Sequence, residues 1–206
     1  LGVRTVSLDY TDVIEDDGSG RFCFSVNGER VFIRGTNWVP LDAFHSQDAG
    51  RLPMACALLE RSGSNMIRVW GGGVYESDEL YDWCDRHGVL VWQDFMMGCA
   101  SYPQTDEFAA ALAAEARAVI ERLRRHPSLA LWAGDNECDC AIAQWGASPR
   151  DPGDNRLTRA ILPDAVRRYD PARQFLPSSP YISPRAYREH KGTPEDHLWG
   201  PRDYYK

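Results

Sequence analysis

The fold of this 206-residue chain is indicated by one stretch, Leu129-Ala130-Leu131-Trp132-Ala133-Gly134-Asp135-Asn136-Glu137. Six apolar or small residues are followed directly by three polar ones. A short, uninterrupted apolar run is typical of a strand that is buried on both faces, as in a parallel sheet. The stretch before it has helical spacing, since Thr105 can cap a helix that ends before Pro127. A helix followed by a buried strand predicts an α/β fold.

The same alternation extends in both directions along the chain. Short apolar segments, separated by stretches of helix length, are predicted as strands over 31–37, 65–70, 89–94, 129–134, 174–178 and 197–200. Gly63 and Gly88 can end the first two helices in the left-handed conformation, and Ser77 can begin the second. A last helix over 156–169 must be kinked or divided at Pro163. The pattern therefore predicts about six parallel strands.

The first thirty residues have a different pattern, in which apolar and polar residues alternate. This period of two predicts half-exposed strands, with a tight hairpin turn at Asn27-Gly28. We expect residues 1–20 to be the end of a β-domain or a linker, and residues 21–206 to form the parallel α/β domain.

Composition argues against several classes of function. Hydrophobic residues make up 43% of the chain, enough for a sizeable core, and the net charge is −7. This excess of acid repels phosphate backbones and anionic lipids, so neither nucleic acid nor a membrane is an expected partner. No apolar run reaches the ~18 residues of a membrane span. The six cysteines show no C-x-x-C spacing, which indicates reduced thiols and favours a cytoplasmic location.

Polar and aromatic side chains collect where the predicted strands end. This is the rim on which parallel α/β barrels assemble their sites, and the candidates there are Asn37, Trp38, Arg68, Trp70, Asp94, Asn136 and Glu137. Trp70, together with Trp92 and Trp132, could instead fill the core. Asp94 could act as a second carboxylate or could pair with Arg68 for structure. Asn136 could bind a substrate hydroxyl or cap the helix that follows.

Glu137 is the strongest candidate for a catalytic residue. It follows a buried strand and should project into a cleft walled by aromatic residues. Removal from water there would raise the pKa of a carboxyl group toward the range of a useful general acid. A solvated glutamate on a loop is the alternative.

Two other motifs indicate different chemistries only weakly. Gly71-Gly72-Gly73 lies between a strand and a helix but lacks the spacing and the Lys-Ser/Thr pair of phosphate-binding loops, so close backbone packing is the better interpretation. A second group lacks the paired spacing of a metal site and consists of Cys138, Cys140, Asp135, Asp139 and His126. We therefore predict no metal and no cofactor.

Four motifs occur in a fixed order: IRGTNWVP over 33–40, NMIRVWGGGVYE over 65–76, VWQDFM over 91–96, and the segment from His126-Pro127-Ser128 to Asn136-Glu137. Together they closely resemble the catalytic domain of glycoside hydrolase family 2, in its β-mannosidase branch. The resemblance covers residues 20 to 206. Residues 1–20 resemble the end of the immunoglobulin-like β-sandwich that precedes the barrel in that family.

The resemblance implies an incomplete (β/α)8 TIM barrel and a retaining enzyme that hydrolyses terminal β-D-mannosides in an oligosaccharide or glycan. Glu137 would be the general acid/base, and a glutamate after the seventh strand would be the nucleophile. Asn136 would bind the 2-hydroxyl and Arg68 would orient the nucleophile. The other substrate-binding residues that the resemblance implies are Asn37, Trp38, Trp70, Asp94, Trp145, His197 and Trp199.

One departure from the family is larger than the rest. The stretch 196–206 resembles the segment shortly before the family's nucleophile, and Glu189 and Glu195 precede the sixth strand. We expect the nucleophile to be absent, so the chain would be a fragment with little activity until the rest of the parent chain completes the barrel. A smaller departure is Asp135, where the branch often has Asn. Exo-β-glucosaminidase or related family 2 activity and a non-catalytic sugar-binding role remain open alternatives.

Overall fold

The computed structural model of the chain describes residues 3–145 and 148–197. Within these ranges the strands are β1 (Val6–Tyr10), β2 (Phe22–Val26), β3 (Glu29–Val31), β4 (Gly35–Trp38), β5 (Met66–Val69), β6 (Leu90–Asp94), β7 (Leu129–Ala133) and β8 (Gln174–Leu176). The α-helices are α1 (Asp48–Ser62), α2 (Asp78–His87), α3 (Asp106–Leu123), α4 (Cys138–Cys140), α5 (Leu162–Tyr169) and α6 (Pro184–Glu189).

The strands form two sheets. Strands β4 to β8 form a parallel sheet in chain order, and β1, β2 and β3 form a small antiparallel sheet. The prediction of a mixed α/β fold with a parallel sheet is confirmed, but the described residues contain five parallel strands rather than six. The expected sixth strand, 197–200, falls beyond the described residues except for His197, which is not in a strand.

Local signals explain where the main helices begin and end. The side chain of Thr105 accepts a hydrogen bond from the backbone N–H of Phe108, a cap that stabilises a helix by about 1 kcal/mol. Gly63 and Gly88 end α1 and α2 with φ of 65° and 68°, which is the left-handed region that favours glycine. Ser77 occupies the predicted cap position of α2, but its side chain makes no capping hydrogen bond.

The prediction of one strand over 31–37 is wrong, because this segment belongs to two sheets. Val31 ends the hairpin strand β3, and the parallel strand β4 begins only at Gly35. Between them the side chain of Asn65 replaces the strand ladder: its amide donates to the Phe32 carbonyl at 2.9 Å and its Oδ1 accepts from Arg34 N–H at 2.8 Å. The apolar run conceals this break, because Phe32 is in fact 83% exposed.

The antiparallel hairpin at the start of the chain is confirmed. Asn27 and Gly28 form its turn with positive φ, as a two-residue hairpin loop requires. Strand β1 pairs with β2 along its whole length, so hydrogen bonds cross the boundary expected at residue 20. The assignment of residues 1–20 to a preceding sandwich domain stays a prediction.

The parallel sheet is covered differently on its two faces. One face packs against the helices, and the Trp132 ring stacks on Phe95 there with centroids 5.2 Å apart. The other face packs against the small antiparallel sheet, where Phe22 and Phe24 lie 5.8 and 6.2 Å from the Trp92 ring. None of the described helices is both long and apolar enough to cross a membrane.

The last predicted helix is divided, as the proline indicated. A π-helical turn covers Leu157–Ile161, and α5 continues from Leu162 with Pro163 in its first turn, where a missing N–H is tolerated. The segment ends just before β8 and so completes the last strand-to-strand connection of the parallel sheet.

Candidate active site

The site forms where the carboxyl ends of three parallel strands meet. Asn136, three residues after β7, makes bridge contacts with Gly98 beyond β6 and with Ser179 beyond β8. The Asn136 N–H donates to the Met97 carbonyl at 3.0 Å, and the next N–H, from Glu137, donates to the Ser179 carbonyl at 2.8 Å. Backbone hydrogen bonds to both neighbouring loops therefore fix the position of residue 137.

The carboxyl group of Glu137 is held inside this rim. The residue is 5% exposed and has φ of 61°, a left-handed conformation that is uncommon for a non-glycine residue. One carboxyl oxygen lies 2.7 Å from His197 Nδ1, and the other accepts from the Cys99 thiol at 3.3 Å. The structure therefore buries Glu137 at the strand ends rather than leaving it on a solvated loop.

A second glutamate faces the same imidazole from its other side. His197 Nε2 lies 3.3 Å from Glu195 Oε1, and this oxygen also accepts from the Ser179 hydroxyl at 2.8 Å. Burial lowers the pKa of His197, but hydrogen bonds to Glu195 and Glu137 outweigh it and raise the pKa above its ordinary value. The imidazole thus tends toward its charged form between two carboxylates.

The adjacent strands carry a buried ion pair. Arg68 Nη2 and Nε donate to the two carboxylate oxygens of Asp94 at 2.8 and 3.2 Å, a bidentate arrangement. Asp94 also accepts from Gly71 N–H at 3.0 Å and from the Trp92 indole N–H at 2.9 Å. Burial raises the pKa of Asp94 to about 6 against the opposing effect of Arg68, so the carboxylate is ionised at neutral pH. Of the two roles considered for Asp94, these contacts agree with a structural pair with Arg68.

Asn136 is oriented from both ends of its side-chain amide. Its Oδ1 accepts from Arg68 Nη2 at 2.9 Å, and its Nδ2 donates to the Cys99 sulfur at 3.3 Å. It does not cap α4, because the first N–H of that helix, from Cys138, donates to Asp135 at 3.1 Å instead. The amide of Asn136 is therefore a fixed polar group next to Glu137.

The tryptophans fall into different environments. Trp38 is only 4% exposed, donates its indole N–H to Glu76 at 3.1 Å and packs in the core; its predicted part in substrate binding stays a prediction. Trp70 is half-buried, and its ring lies against the backbone of Gly72. Trp145 is 54% exposed. Trp199 lies outside the described residues.

Asn37 lies on the same face of the sheet as the ion pair. It is exposed on the edge strand β4 and stands opposite Arg68 in the parallel register, which puts both side chains on one face. Trp38 follows directly and therefore points to the opposite face, toward the helices. The alternation of a strand accounts for both placements.

Two buried aspartates, Asp135 and Asp139, flank Asn136 and Glu137 in the loop after β7. Asp135 accepts from the Ser178 hydroxyl at 2.5 Å, and Asp139 accepts from Arg159 at 2.6 Å. Burial raises the pKa of both carboxyl groups, and the proximity of Asp139 raises that of Asp135 further. Asp135 Oδ2 and Asp139 Oδ1 have no hydrogen-bond partner in the described part of the chain. At least one of the two carboxyl groups is thus favoured in its neutral form.

The motifs that pointed to other chemistries have structural explanations. A Cβ on Gly71 would come within 2.4 Å of the Met97 carbonyl oxygen, so this glycine allows close backbone packing. His126 is hydrogen-bonded to Asp85, with Nδ1 and Oδ2 2.7 Å apart. Within the described ranges, the one donor group compact enough for an ion is Asp82, Asp85 and His126. All six cysteines are free thiols.

Three participants in the site were not predicted from the sequence as its members: Cys99, Ser179 and Glu195. Glu195 was considered only as a nucleophile, and Ser179 lies in a Pro-rich loop with no motif of its own. Cys99 has a weak signal, since it follows Asp94 by five residues in the same strand-end loop. Its left-handed φ of 53° is invisible in the sequence.

No family model matches the chain. A β-mannosidase from Bos taurus is 37% identical over 191 residues, which are 86% of this chain and 21% of that protein. β-Mannosidase B from Aspergillus clavatus is 36% identical over 196 residues, 88% of this chain and 23% of that protein. The chain thus spans less than a quarter of the length of these relatives.

The crystal structure of a β-D-mannosidase from Dictyoglomus thermophilum matches all of this chain and 25% of its own, with a TM-score of 0.84 at 36% identity. The chain is a relative of the family 2 β-mannosidases. A β-glucuronidase from Bacteroides uniformis, at 24% identity and a TM-score of 0.65, matches 84% of this β-mannosidase-like chain and 20% of its own. That second likeness shows a shared fold only.

Proposed function

We propose that this chain supplies the acid/base half of the active site of a retaining β-mannosidase, with Glu137 as the general acid and base. The observation that carries the proposal is the placement of Glu137. Its carboxyl group is 7% exposed, lies at the carboxyl end of a parallel strand, and contacts groups that can exchange a proton. The names of the relatives supply the substrate class, a β-D-mannoside, and we propose that its terminal residue is the one released.

In the proposed reaction Glu137 acts twice. Its protonated carboxyl group donates to the glycosidic oxygen while the bond to the sugar breaks, and its carboxylate then takes a proton from the attacking water. The side-chain amide of Asn136, held by Arg68 and Cys99, would hydrogen-bond the 2-hydroxyl, which is axial in mannose. The ion pair between Arg68 and Asp94 would form the side of the binding site that lies behind the sugar. Asn37, Trp70, Trp145 and His197, together with Trp199, stay candidates for further sugar contacts.

A retaining mechanism also needs a nucleophilic carboxylate about 5 to 5.5 Å from the acid. Neither nearby glutamate fits this role. Glu189, on α6, binds Arg185, and Glu195 is separated from Glu137 by the imidazole of His197, where the sugar would have to lie. We therefore expect the nucleophile to lie outside the part of the chain that the structure describes. The open edges of strands β4 and β8 would pair with the strands that complete the barrel.

The test is hydrolysis of mannobiose, whose leaving oxygen needs a proton, by the full-length protein, by its Glu137→Gln variant and by a Glu189→Gln control. We expect Glu137→Gln to lower kcat/KM by about 10²- to 10⁴-fold, the usual contribution of a general acid, and Glu189→Gln to leave it unchanged. The isolated 206-residue chain should have little activity. Wild-type hydrolysis of β-glucosaminides or β-glucuronides in preference to β-mannosides would overturn the substrate assignment. Full activity in Glu137→Gln would overturn the assignment of the acid.

A further inference from the structure

We propose that Cys99 is a positioning residue for Glu137: its thiol orients the carboxyl group and links it to the amide of Asn136. This inference rests on the proposed function of Glu137. It adds a residue to the site that neither a strand-end pattern nor the chemistry of glycoside hydrolysis requires.

The thiol stands between the two polar side chains of the loop after β7. Its sulfur donates to Glu137 Oε2 at 3.3 Å and accepts from Asn136 Nδ2 at 3.3 Å. A thiol is one of the few side chains that can donate and accept at once. Because His197 holds the other oxygen of Glu137 at 2.7 Å, the two contacts together fix the rotation of the carboxyl group.

The backbone holds the thiol in this position. Cys99 has φ of 53°, a conformation that costs a non-glycine residue energy and persists only where the surroundings enforce it. Its N–H donates to the Asn136 carbonyl at 2.7 Å, and the preceding residue, Gly98, forms a bridge with Asn136. Cys99 and Glu137 are thus tied together through backbone as well as side chain.

The thiol is neutral in this setting. Burial of the sulfur raises its pKa, and the hydrogen bond to the Glu137 carboxylate raises the pKa further. A neutral thiol can serve as a donor but is a poor nucleophile, since the thiolate is the reactive form. Cys99 therefore acts through Glu137 and has no covalent role.

The exposure of Cys99 makes the link measurable. Cys99 is exposed to solvent, whereas Cys23 is half-buried and the other four cysteines are buried. The rate of alkylation by iodoacetamide, followed at each cysteine by peptide mass spectrometry over a range of pH, reports the thiol pKa. In Glu137→Gln we expect the Cys99 titration to move to lower pH and its alkylation at neutral pH to accelerate. A Cys99 titration identical in wild type, Glu137→Gln and the Glu189→Gln control would overturn the proposal.

Activity of the full-length protein gives a second test. Cys99→Ser keeps a hydroxyl donor and acceptor, whereas Cys99→Ala removes both, and each keeps a Cβ at the same left-handed φ. We expect Cys99→Ala to lower kcat roughly tenfold and to shift the pH profile of kcat, with KM nearly unchanged, and Cys99→Ser to recover most of kcat. Wild-type kcat and pH profile in Cys99→Ala would contradict the proposal, and equal losses in both variants would do the same.

The two tests separate this inference from the proposed function. If wild type hydrolyses no β-mannoside while the Cys99 titration still depends on Glu137, the assignment of the reaction fails and the link between the two side chains stands. If hydrolysis depends on Glu137 but the Cys99 titration does not, the reaction stands and the role of Cys99 fails.

Discussion

Two carboxylates stand at the ends of neighbouring parallel strands, and their hydrogen-bond partners differ in kind. Asp94 is surrounded by groups that can only donate: the Arg68 guanidinium, the Gly71 N–H and the Trp92 indole. Glu137 contacts an imidazole and a thiol, each of which can donate or accept. An acceptor is required at Asp94, whereas the imidazole and the thiol at Glu137 can each change the direction of their hydrogen bonds, the imidazole by giving up one proton. This difference separates a structural carboxylate from the proposed catalytic one on the same rim.

Replacing each carboxylate by its amide tests this difference, and the largest effect is expected at Asp94. Asp94→Asn would point an NH2 group at groups that can only donate and would leave the buried Arg68 charge without a counterion. We expect a loss of about 3 to 5 kcal/mol in the free energy of unfolding, measured with urea at neutral pH. A loss below about 1 kcal/mol would show that the Arg68–Asp94 pair does not stabilise the folded protein at this site.

A smaller effect, of opposite sign, is expected behind the site at Asp135. Because its folded-state pKa is raised, Asp135 contributes stability at pH below about 4 that is lost as the pH rises through the neutral range. Asp135→Asn keeps an oxygen for Ser178 and cannot ionise. We expect the stability of wild type to fall relative to this variant by up to about 1.4 kcal/mol between pH 6 and pH 7, where the folded carboxyl group still holds its proton and the unfolded one does not. Parallel pH profiles for the two proteins would contradict a neutral Asp135.

The smallest effect on stability is expected at Glu137. In Glu137→Gln the imidazole can give up its Nδ1 proton and accept from the new amide, and the thiol can likewise change the direction of its hydrogen bond, so no buried group is left unpaired. We expect the free energy of unfolding to change by less than about 1 kcal/mol. A loss as large as that of Asp94→Asn would remove the distinction between the two carboxylates.

Much of this architecture could be predicted from the sequence, because its signals are local. Buried strands are continuous apolar runs, Gly63 and Gly88 mark helix ends, and the carboxyl ends of parallel strands always meet at one edge. The rim that contains Asp94 and Glu137 follows from these rules. The break between the two strands at residues 32–34 could not be predicted from these rules. The side chain that replaces the strand ladder there comes from Asn65, some thirty residues away.

The details of the site were harder to predict, because they depend on contacts that are distant in sequence. The burial of Trp38 could have been found: if Asn37 faces the same side as Arg68, the next residue of the strand must face the helices. The cluster of Glu137, His197 and Glu195 could not, since the partners are about sixty residues apart and no local pattern joins them. The same holds for the thiol of Cys99.

The role of Glu137 as the proton donor is tested most directly by the leaving-group dependence of hydrolysis in the full-length Glu137→Gln variant. A dinitrophenolate departs without a proton, whereas the oxygen of an unactivated sugar needs one. We expect the variant to retain nearly the wild-type rate of bond cleavage with dinitrophenyl β-mannoside and to lose about 10²- to 10⁴-fold with mannobiose. Equal losses on both substrates would contradict the account.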